Sequence, residues 1–596
     1  MIRIAVGPFL LGYIHPDEFF QGGQELFFGC PPTIPWEFEP ENALRSVFPP
    51  AVMTWIPLQI YGGLKALVGV AIGRNDTMLA GFSGMEVLVV PRIACSLLSI
   101  LVVDRGVWAT CKSGREQQEQ AGVPVPVLLL GSAWTTIGMM TRPFSNSMET
   151  FIFASLMTTV LTNVKPQGES AFGFLFCWKI GIISALGIFT RFTFVFFATP
   201  VLLFLLQQMI QSFGISKTIL WRKLGWMAIS FICVSVSIIL ADTKFYSMRD
   251  ESNDQKDMSL FDFSSFVVTP FNALAYNSKI SNLKDHGLHP RWTHAVVNML
   301  IMFGPLTLAT YFLVAPKLLK DIGRIKDPSQ KNTPQGKILA VSAASTLFGL
   351  GFLSIAPHQE PRFLLPLLVP LVLLGEKPFR QFRTPLMSVW ILFNAILVIL
   401  FGILHQGGVT KSLLAVGSTS TWTQQEHPTS WIYMLTYMPP TFLTRSQHDG
   451  TNDTTTCSNA EGQGVCEKIS FGDACQEKTI RIVDMKSSSA EKFQETIQAE
   501  ISCSNQVPEL DSNSFLYLVV PFLEPNDDNL DPGFQLPLRG HQGRFELTNE
   551  AYEWNLVDSF GPHLTTEDFP MFTGSFTDFY NKLALNIYNI SCTEMT

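Results

Sequence analysis

The sequence predicts an all-α polytopic membrane body over residues 1–405, followed by a C-terminal region, 406–596, of mixed or irregular structure. Three observations point there. Of 596 residues, 47% are hydrophobic and only 15% charged, against about 25% charged in an ordinary soluble chain. Apolar segments of membrane-crossing length recur from Leu79 to Leu404. After Gln406 they stop, and the chain turns polar and acidic. The net charge of −8 argues against nucleic acid as a partner.

Taken in order, the first apolar stretch is Ile4–Ile14. It is shorter than the roughly 17–25 residues a spanning helix needs, so it predicts a truncated span or a chain that starts late. Ala51–Gly73 is apolar but interrupted by Pro57, Gly62, Gly63 and Lys65, and reads as an interfacial helix. The spans read from hydropathy cover 78–103, 123–141, 148–164, 171–189, 192–211, 224–241, 296–315, 338–356, 363–376 and 385–404. With the N-terminal stretch, this predicts about 11 transmembrane helices.

Basic residues orient the body. Lys112 and Arg115, Lys165, Lys217 with Arg222 and Lys223, the cluster Lys317–Lys337, and Lys377 with Arg380 and Arg383 occupy alternate loops. Placing these in the cytosol satisfies the positive-inside rule. A first loop (15–77), a second large loop (242–295), the turns 142–147 and 357–362, and the C-terminal region then share the opposite, lumenal side. The three glycosylation sequons, at Asn75, Asn452 and Asn589, fall on that side. So do Cys30, Cys457, Cys466, Cys475, Cys503 and Cys592, which suit an oxidising lumen.

The candidate site residues lie in those lumenal segments. The first loop opens His15-Pro16-Asp17-Glu18-Phe19-Phe20-Gln21, and adjacent carboxylates at a membrane boundary are costly to desolvate. Trp36-Glu37, an aromatic beside a carboxylate, can hold a sugar ring, and Arg45 follows. The turn at Arg142-Pro143-Phe144-Ser145-Asn146 reaches Glu149, and Arg191 divides two spans. The second loop ends His286-Gly287-Leu288-His289-Pro290-Arg291. Two histidines three apart suggest metal, but Gly287 and Pro290 favour a turn and no matched ligand set is visible. His358-Gln359-Glu360-Pro361-Arg362 is packed between apolar spans, which leaves its charges little room as idle surface.

These residue types suit transfer of a sugar from a lipid phosphate. The phosphate already leaves well and needs cations more than a general acid. Arginines such as Arg362 and Arg142, with His358, can hold it. Inverting attack needs one carboxylate, Asp17 or Glu18, to take the acceptor proton.

The first-loop motif, with Trp36-Glu37-Phe38 and Arg45-Ser46, resembles that of the dolichyl-phosphate-mannose-dependent α-mannosyltransferases, glycosyltransferase family 22. The resemblance covers roughly residues 10–410 and implies a GT-C fold, an endoplasmic-reticulum membrane location and a lumenal active site. Thr141–Ser147, His286–Arg291, His358–Leu364 and Asn394 with Gly402 and His405-Gln406-Gly407-Gly408-Val409 resemble the branch that adds a fourth, α-1,2-linked mannose to the glycosylphosphatidylinositol (GPI) precursor. The partners implied are dolichyl phosphate mannose as donor, a GPI glycolipid as acceptor and membrane lipid. No cofactor is implied. An acidic insert, 449–508, matches no motif. A dolichol-linked N-glycan acceptor, or another GPI mannose position, is the alternative within the family. A transporter is the alternative outside it, and the absence of a clear internal repeat counts against that.

Overall fold

The computed structural model describes residues 2–29, 34–71, 81–114, 122–163, 172–214, 218–249, 266–284, 287–324, 333–418, 429–445, 480–486, 495–498, 515–521, 542–547, 550–565 and 582–592. The body is helical, and seven of its described helices are long and apolar enough to cross a membrane. They are Phe48–Ala71, Gly84–Gly114, Phe194–Phe213, Thr218–Ser247, His294–Lys320, Pro334–Ile355 and Arg383–Leu404. Their starts follow local chemistry. Ser83 caps Gly84–Gly114 in a reciprocal capping box with Glu86. Thr333 accepts a hydrogen bond from the Gly336 amide, with Pro334 at the first helical position.

Seven is fewer than the eleven expected because several apolar segments form short or broken helices. Phe174–Thr190 has 17 residues. The segment read as 123–141 divides into Val125–Ser132 and a π-turn at Thr135–Met139. It breaks at Ala133, where the Asn394 side chain accepts from the Trp134 amide at 2.7 Å. The segment read as 363–376 is a 3₁₀ turn, Pro361–Leu367, followed by a helix, Leu368–Gln381. The N-terminal stretch forms only short turns, Ile2–Ala5 and Gly7–Phe9.

The described part of Ala51–Gly73, residues 51–71, lies in one continuous 24-residue helix, Phe48–Ala71, long and apolar enough to cross a membrane, so its prolines and glycines do not interrupt it. A π-helical segment, Ala51–Trp55, ends two residues before Pro57. That wider turn absorbs the missing proline N–H and its ring, which would break a regular α-helix.

The C-terminal region is mixed rather than irregular. A helix, Gly407–Ser418, leads into six strands: β1 (Thr429–Met434), β2 (Ile480–Lys486), β3 (Phe515–Pro521), β4 (Gln542–Leu547), β5 (Glu550–Phe560) and β6 (Leu585–Cys592). They form one sheet in the order β2-β1-β3-β6-β5-β4. β1 runs parallel to β2 and β3, and the remaining neighbours are antiparallel. The sheet shares a core with the body: Tyr13, Phe19, Leu58 and Val87 pack with Leu413, Trp431, Tyr433, Phe442 and Tyr517. Polar contacts lock this junction. Glu25 accepts from the Thr441 hydroxyl and, at 3.3 Å, the Phe442 amide. Arg445 donates to the carbonyls of Phe82 and Phe28. Asn589 lies mid-strand in β6, half-buried between β3 and β5. That is not the surface loop a sequon favours. Asn75, Asn452 and the cysteines Cys30, Cys457, Cys466, Cys475 and Cys503 lie outside the described residues.

Candidate active site

Pro16 turns the chain into a one-turn helix, Asp17–Phe20, and Gly22 and Gly23 end it. Gly23 has a φ of 93°, open to glycine without strain. A Cβ on Gly22 would lie 2.1 Å from the Glu18 carbonyl oxygen and 2.6 Å from that of Pro143. Glycine here lets the first loop close onto the 142–147 turn. The start of the loop is tied to the end of the body, since Gly12 donates to the Gly402 carbonyl (2.7 Å) and the Tyr13 amide to that of His405 (2.8 Å).

One cavity of about 700 Å³ opens beside this loop. His15, Asp17, Gln21, Trp36, Glu37, Arg45, Arg191, His358, Glu360 and Arg362 all line it. They come from three separate segments, the first loop, the turn at Arg191 and the 357–362 turn, so the fold brings these candidates together.

At its centre Arg362 is paired with Asp17 through Nη1 and with Glu360 through Nε. His358 Nε2 lies 2.8 Å from Glu360, and His15 lies 3.5 Å from Asp17 and 3.7 Å from Glu360. Burial alone would raise the Asp17 carboxyl, but the Arg362 guanidinium, assisted by His15, holds it well below the usual carboxylate range. Glu360 follows the same pattern: burial opposes its charge, and Arg362 and His358 outweigh it. The ion pairs in turn push Arg362 above its ordinary value despite burial. A second chain of contacts approaches Asp17 from the 142–147 turn. Gln21 donates to Asp17, Ser145 donates to Gln21 at 2.9 Å, and Arg191 donates to Ser145 at 2.9 Å.

The fold separates the two adjacent carboxylates of the motif. Asp17 faces the cavity, whereas Glu18 is 0% exposed and does not line it. Glu18 accepts from Arg92 Nε at 2.8 Å and from Arg142 Nη1, and both arginines also donate to the Leu10 carbonyl. Glu18 and Arg142, expected as an alternative base and a phosphate holder, are thus engaged with each other outside the cavity lining, which leaves Asp17 as the carboxylate of the motif that faces it. Asn146 is buried beneath the turn. Glu149 is buried beside Arg191 (3.4 Å) and accepts from Thr193 at 2.6 Å, so it supports the cavity wall from behind. His289 and Arg291 turn to the backbone of the 353–359 segment: the His289 amide donates to the Pro357 carbonyl at 2.8 Å and Arg291 donates to that of Ile355. His286 lies outside the described residues.

The sequence profile of the Alg9-like mannosyltransferase family matches residues 1–443. The chain belongs to that family. It is therefore a glycosyltransferase. A GPI mannosyltransferase 4 from Emericella nidulans is 32% identical over 447 residues, 72% of each chain. One from Saccharomyces cerevisiae is 30% identical, with 75% of each chain covered. GPI alpha-1,2-mannosyltransferase 4 from Homo sapiens is 30% identical, with 72% of each covered. Among solved structures, ArnT from Cupriavidus metallidurans bound to undecaprenyl phosphate gives a TM-score of 0.46 at 12% identity. It covers 87% of this chain and 91% of its own.

Within this family member, several cavity-supporting residues escaped the sequence reading: Arg92, Thr193, Asp242, Thr269 and Tyr276. Two carried a signal, since Arg92 and Asp242 are ionisable residues in long apolar segments, and such residues need a partner. Asp242 accepts from Ser46 (3.0 Å), the Val47 amide (3.0 Å) and Thr269 (3.1 Å), pinning both loops to one helix.

His358 gives this cavity a pH dependence. Burial would lower its proton affinity, but Glu360 and the Gly287 carbonyl raise it above the ordinary value. A raised histidine stabilises the fold fully below the unfolded value of about 6.5, and that contribution is lost as pH rises through the folded value. Wild type is therefore expected to exceed His358→Gln in thermal stability by about 1–2 kcal/mol near pH 6. The gap should shrink on going to alkaline pH. Melting curves of both proteins across that range check this, and a constant gap would show that His358 does not titrate there.

Proposed function

We propose that this chain adds an α-1,2-linked mannose to the third mannose of a GPI precursor, taking it from dolichyl phosphate mannose at the lumenal face of the endoplasmic reticulum. The observation that carries the acceptor assignment is the similarity, over about three quarters of each chain, to proteins named GPI mannosyltransferase 4. A GT-C architecture, a catalytic membrane body over 1–405 and a lumenal region over 406–596 belong to the same proposal. The basic loops support that orientation.

In this mechanism the acceptor hydroxyl oxygen attacks the anomeric carbon of the donor mannose. The carbon–oxygen bond to phosphate breaks on the opposite face, so the β-linked donor yields an α-linked product. Asp17 accepts the hydroxyl proton. Arg362, with Arg191 along the same cavity, receives the departing lipid phosphate. Arg362 cannot saturate Asp17, Glu360 and a phosphate at once. As it turns to the donor, Asp17 loses its strongest counter-charge and recovers proton affinity, which arms the base only when the donor is bound.

The test is depletion of the protein in cells, followed by mass spectrometry of GPI precursors and dolichol-linked glycans. A three-mannose GPI lipid should accumulate. A normal GPI profile with a truncated dolichol-linked glycan would instead place the enzyme on the N-glycan precursor. No change in either would remove the mannosyltransferase assignment of the substrate altogether.

A further inference from the structure

The lining of the cavity divides by origin. The ends of the helices Phe174–Thr190, Phe194–Phe213 and Pro334–Ile355 contribute apolar side chains, among them Ile188, Phe196, Phe352 and Ile355. The two loops add apolar residues such as Leu44 and Leu274, and with them an aromatic and polar surface that the helix ends lack. Trp36 from the first loop and Tyr276 from the second meet with ring centroids 5.6 Å apart at 46°, and both line the cavity. Beside them, Arg45 donates to Glu37 through Nε at 3.0 Å and Nη2 at 2.9 Å, and Asn277 and Ser278 follow Tyr276 in the lining.

The two loops are joined behind these rings by polar contacts. Asn272 donates to the Ala43 carbonyl at 3.1 Å and Asp242 holds Ser46 and Thr269, while within the first loop Asn42 donates to the Trp36 carbonyl at 2.9 Å. The loops are thus fixed relative to one another while Trp36 stays 41% exposed. An aromatic pair at a cavity wall presents a flat apolar face to whatever enters the cavity.

The chemistry of that wall selects the ligand. A polyprenyl chain has no use for a carboxylate, a guanidinium and two small polar side chains, and the apolar helix ends supply its surface elsewhere in the same cavity. A pyranose has an apolar C–H face that lies on an aromatic ring and a rim of hydroxyls that needs donors and acceptors at the ring's edge. We propose that Trp36 and Tyr276 form the platform for the acceptor glycan, with Glu37 and Arg45 binding hydroxyls of its terminal mannose units. The platform rests on the mannosyltransferase reading above and adds to it the residues that recognise the acceptor. It assigns Tyr276, 240 positions from Trp36 in the chain, a role in acceptor specificity.

The experiment uses the full chain in lipid nanodiscs, with dolichyl phosphate mannose as donor and a synthetic trimannosyl GPI glycolipid as acceptor. Trp36→Ala and Tyr276→Ala should each raise the acceptor KM about tenfold, while the donor KM stays within about twofold. Trp36→Phe should restore most of the affinity, because it keeps an aromatic face. Trp36→Gln and Tyr276→Gln, which keep bulk without the π face, carry the same expectation should an alanine variant fail to accumulate. A rise in donor KM, a fall in kcat alone, or no change would overturn the platform. If wild type ignores the GPI acceptor and extends a dolichol-linked glycan, the GPI assignment fails by itself. The platform then stands or falls on whether the same variants raise the KM for that glycan.

Discussion

Asp17→Asn is expected to lower kcat for mannosyl transfer by about 10³-fold, with the donor KM unchanged or lower. Asparagine keeps the size of the side chain and can still accept from Gln21, so the turn that carries it should hold its shape. What it loses is the ability to take a proton. It also loses the charge that now engages Arg362. A freed Arg362 has one less competitor when it meets the donor phosphate, and this is why the donor KM should not rise. The opposite split is expected for Arg362→Ala, which should weaken donor binding as well as turnover, since it removes the cation and leaves Asp17 and Glu360 facing each other. Both variants are measured by transfer from dolichyl phosphate mannose in microsomes or nanodiscs, at varied donor and acceptor. An Asp17→Asn enzyme within a few-fold of wild type would remove Asp17 as the base.

The neighbouring carboxylate shows how far the sequence alone could carry this site. Hydropathy located most of the long helices, and the clustering of charge between apolar spans identified ten residues that line one cavity. These features are legible because they are local: an apolar run must leave water, and a charge at a membrane boundary must find a use. The division of labour between Asp17 and Glu18 is not local. Successive residues on a helical turn point about 100° apart, and which of them meets solvent depends on what packs behind. Here that is Arg92, 74 positions away inside an apolar span, and Arg142, 124 positions away. Nothing at position 18 announces either partner. The helix Phe48–Ala71 was obscured for a different reason: Pro57 reads as a break unless the preceding turn widens, and that adjustment is made by the backbone. The six-stranded sheet was hidden because most of its strands are far apart in the chain, and β1 reaches its parallel partner β2 only across some forty-five residues.

Glu18→Gln is expected to fail by a different route from Asp17→Asn. Glu18, Arg92 and Arg142 have side chains with no exposure at all, and one carboxylate faces two guanidiniums. Removing that charge leaves two buried cations near each other without their counter-ion. Breaking a buried ion pair from one side costs about 3–5 kcal/mol, a large share of the roughly 5–15 kcal/mol that holds a domain folded. The arginines also clamp the Leu10 carbonyl, so the stretch leading to His15 and Asp17 should loosen with them. The expected result is a marked loss of folded protein, or a clear drop in melting temperature of the detergent-solubilised chain, with activity falling in proportion to the folded fraction. Asp17→Asn should melt close to wild type. Replacing the whole triad by apolar residues of similar size, as Glu18→Leu with Arg92→Met and Arg142→Met, should recover part of the lost stability, since no buried charge is then left unpaired. A Glu18→Gln protein that melts like wild type yet transfers no mannose would return Glu18 to the chemistry. A triple variant that is stable and active would show that the triad serves to hold the first loop in place and that Asp17 alone handles the proton.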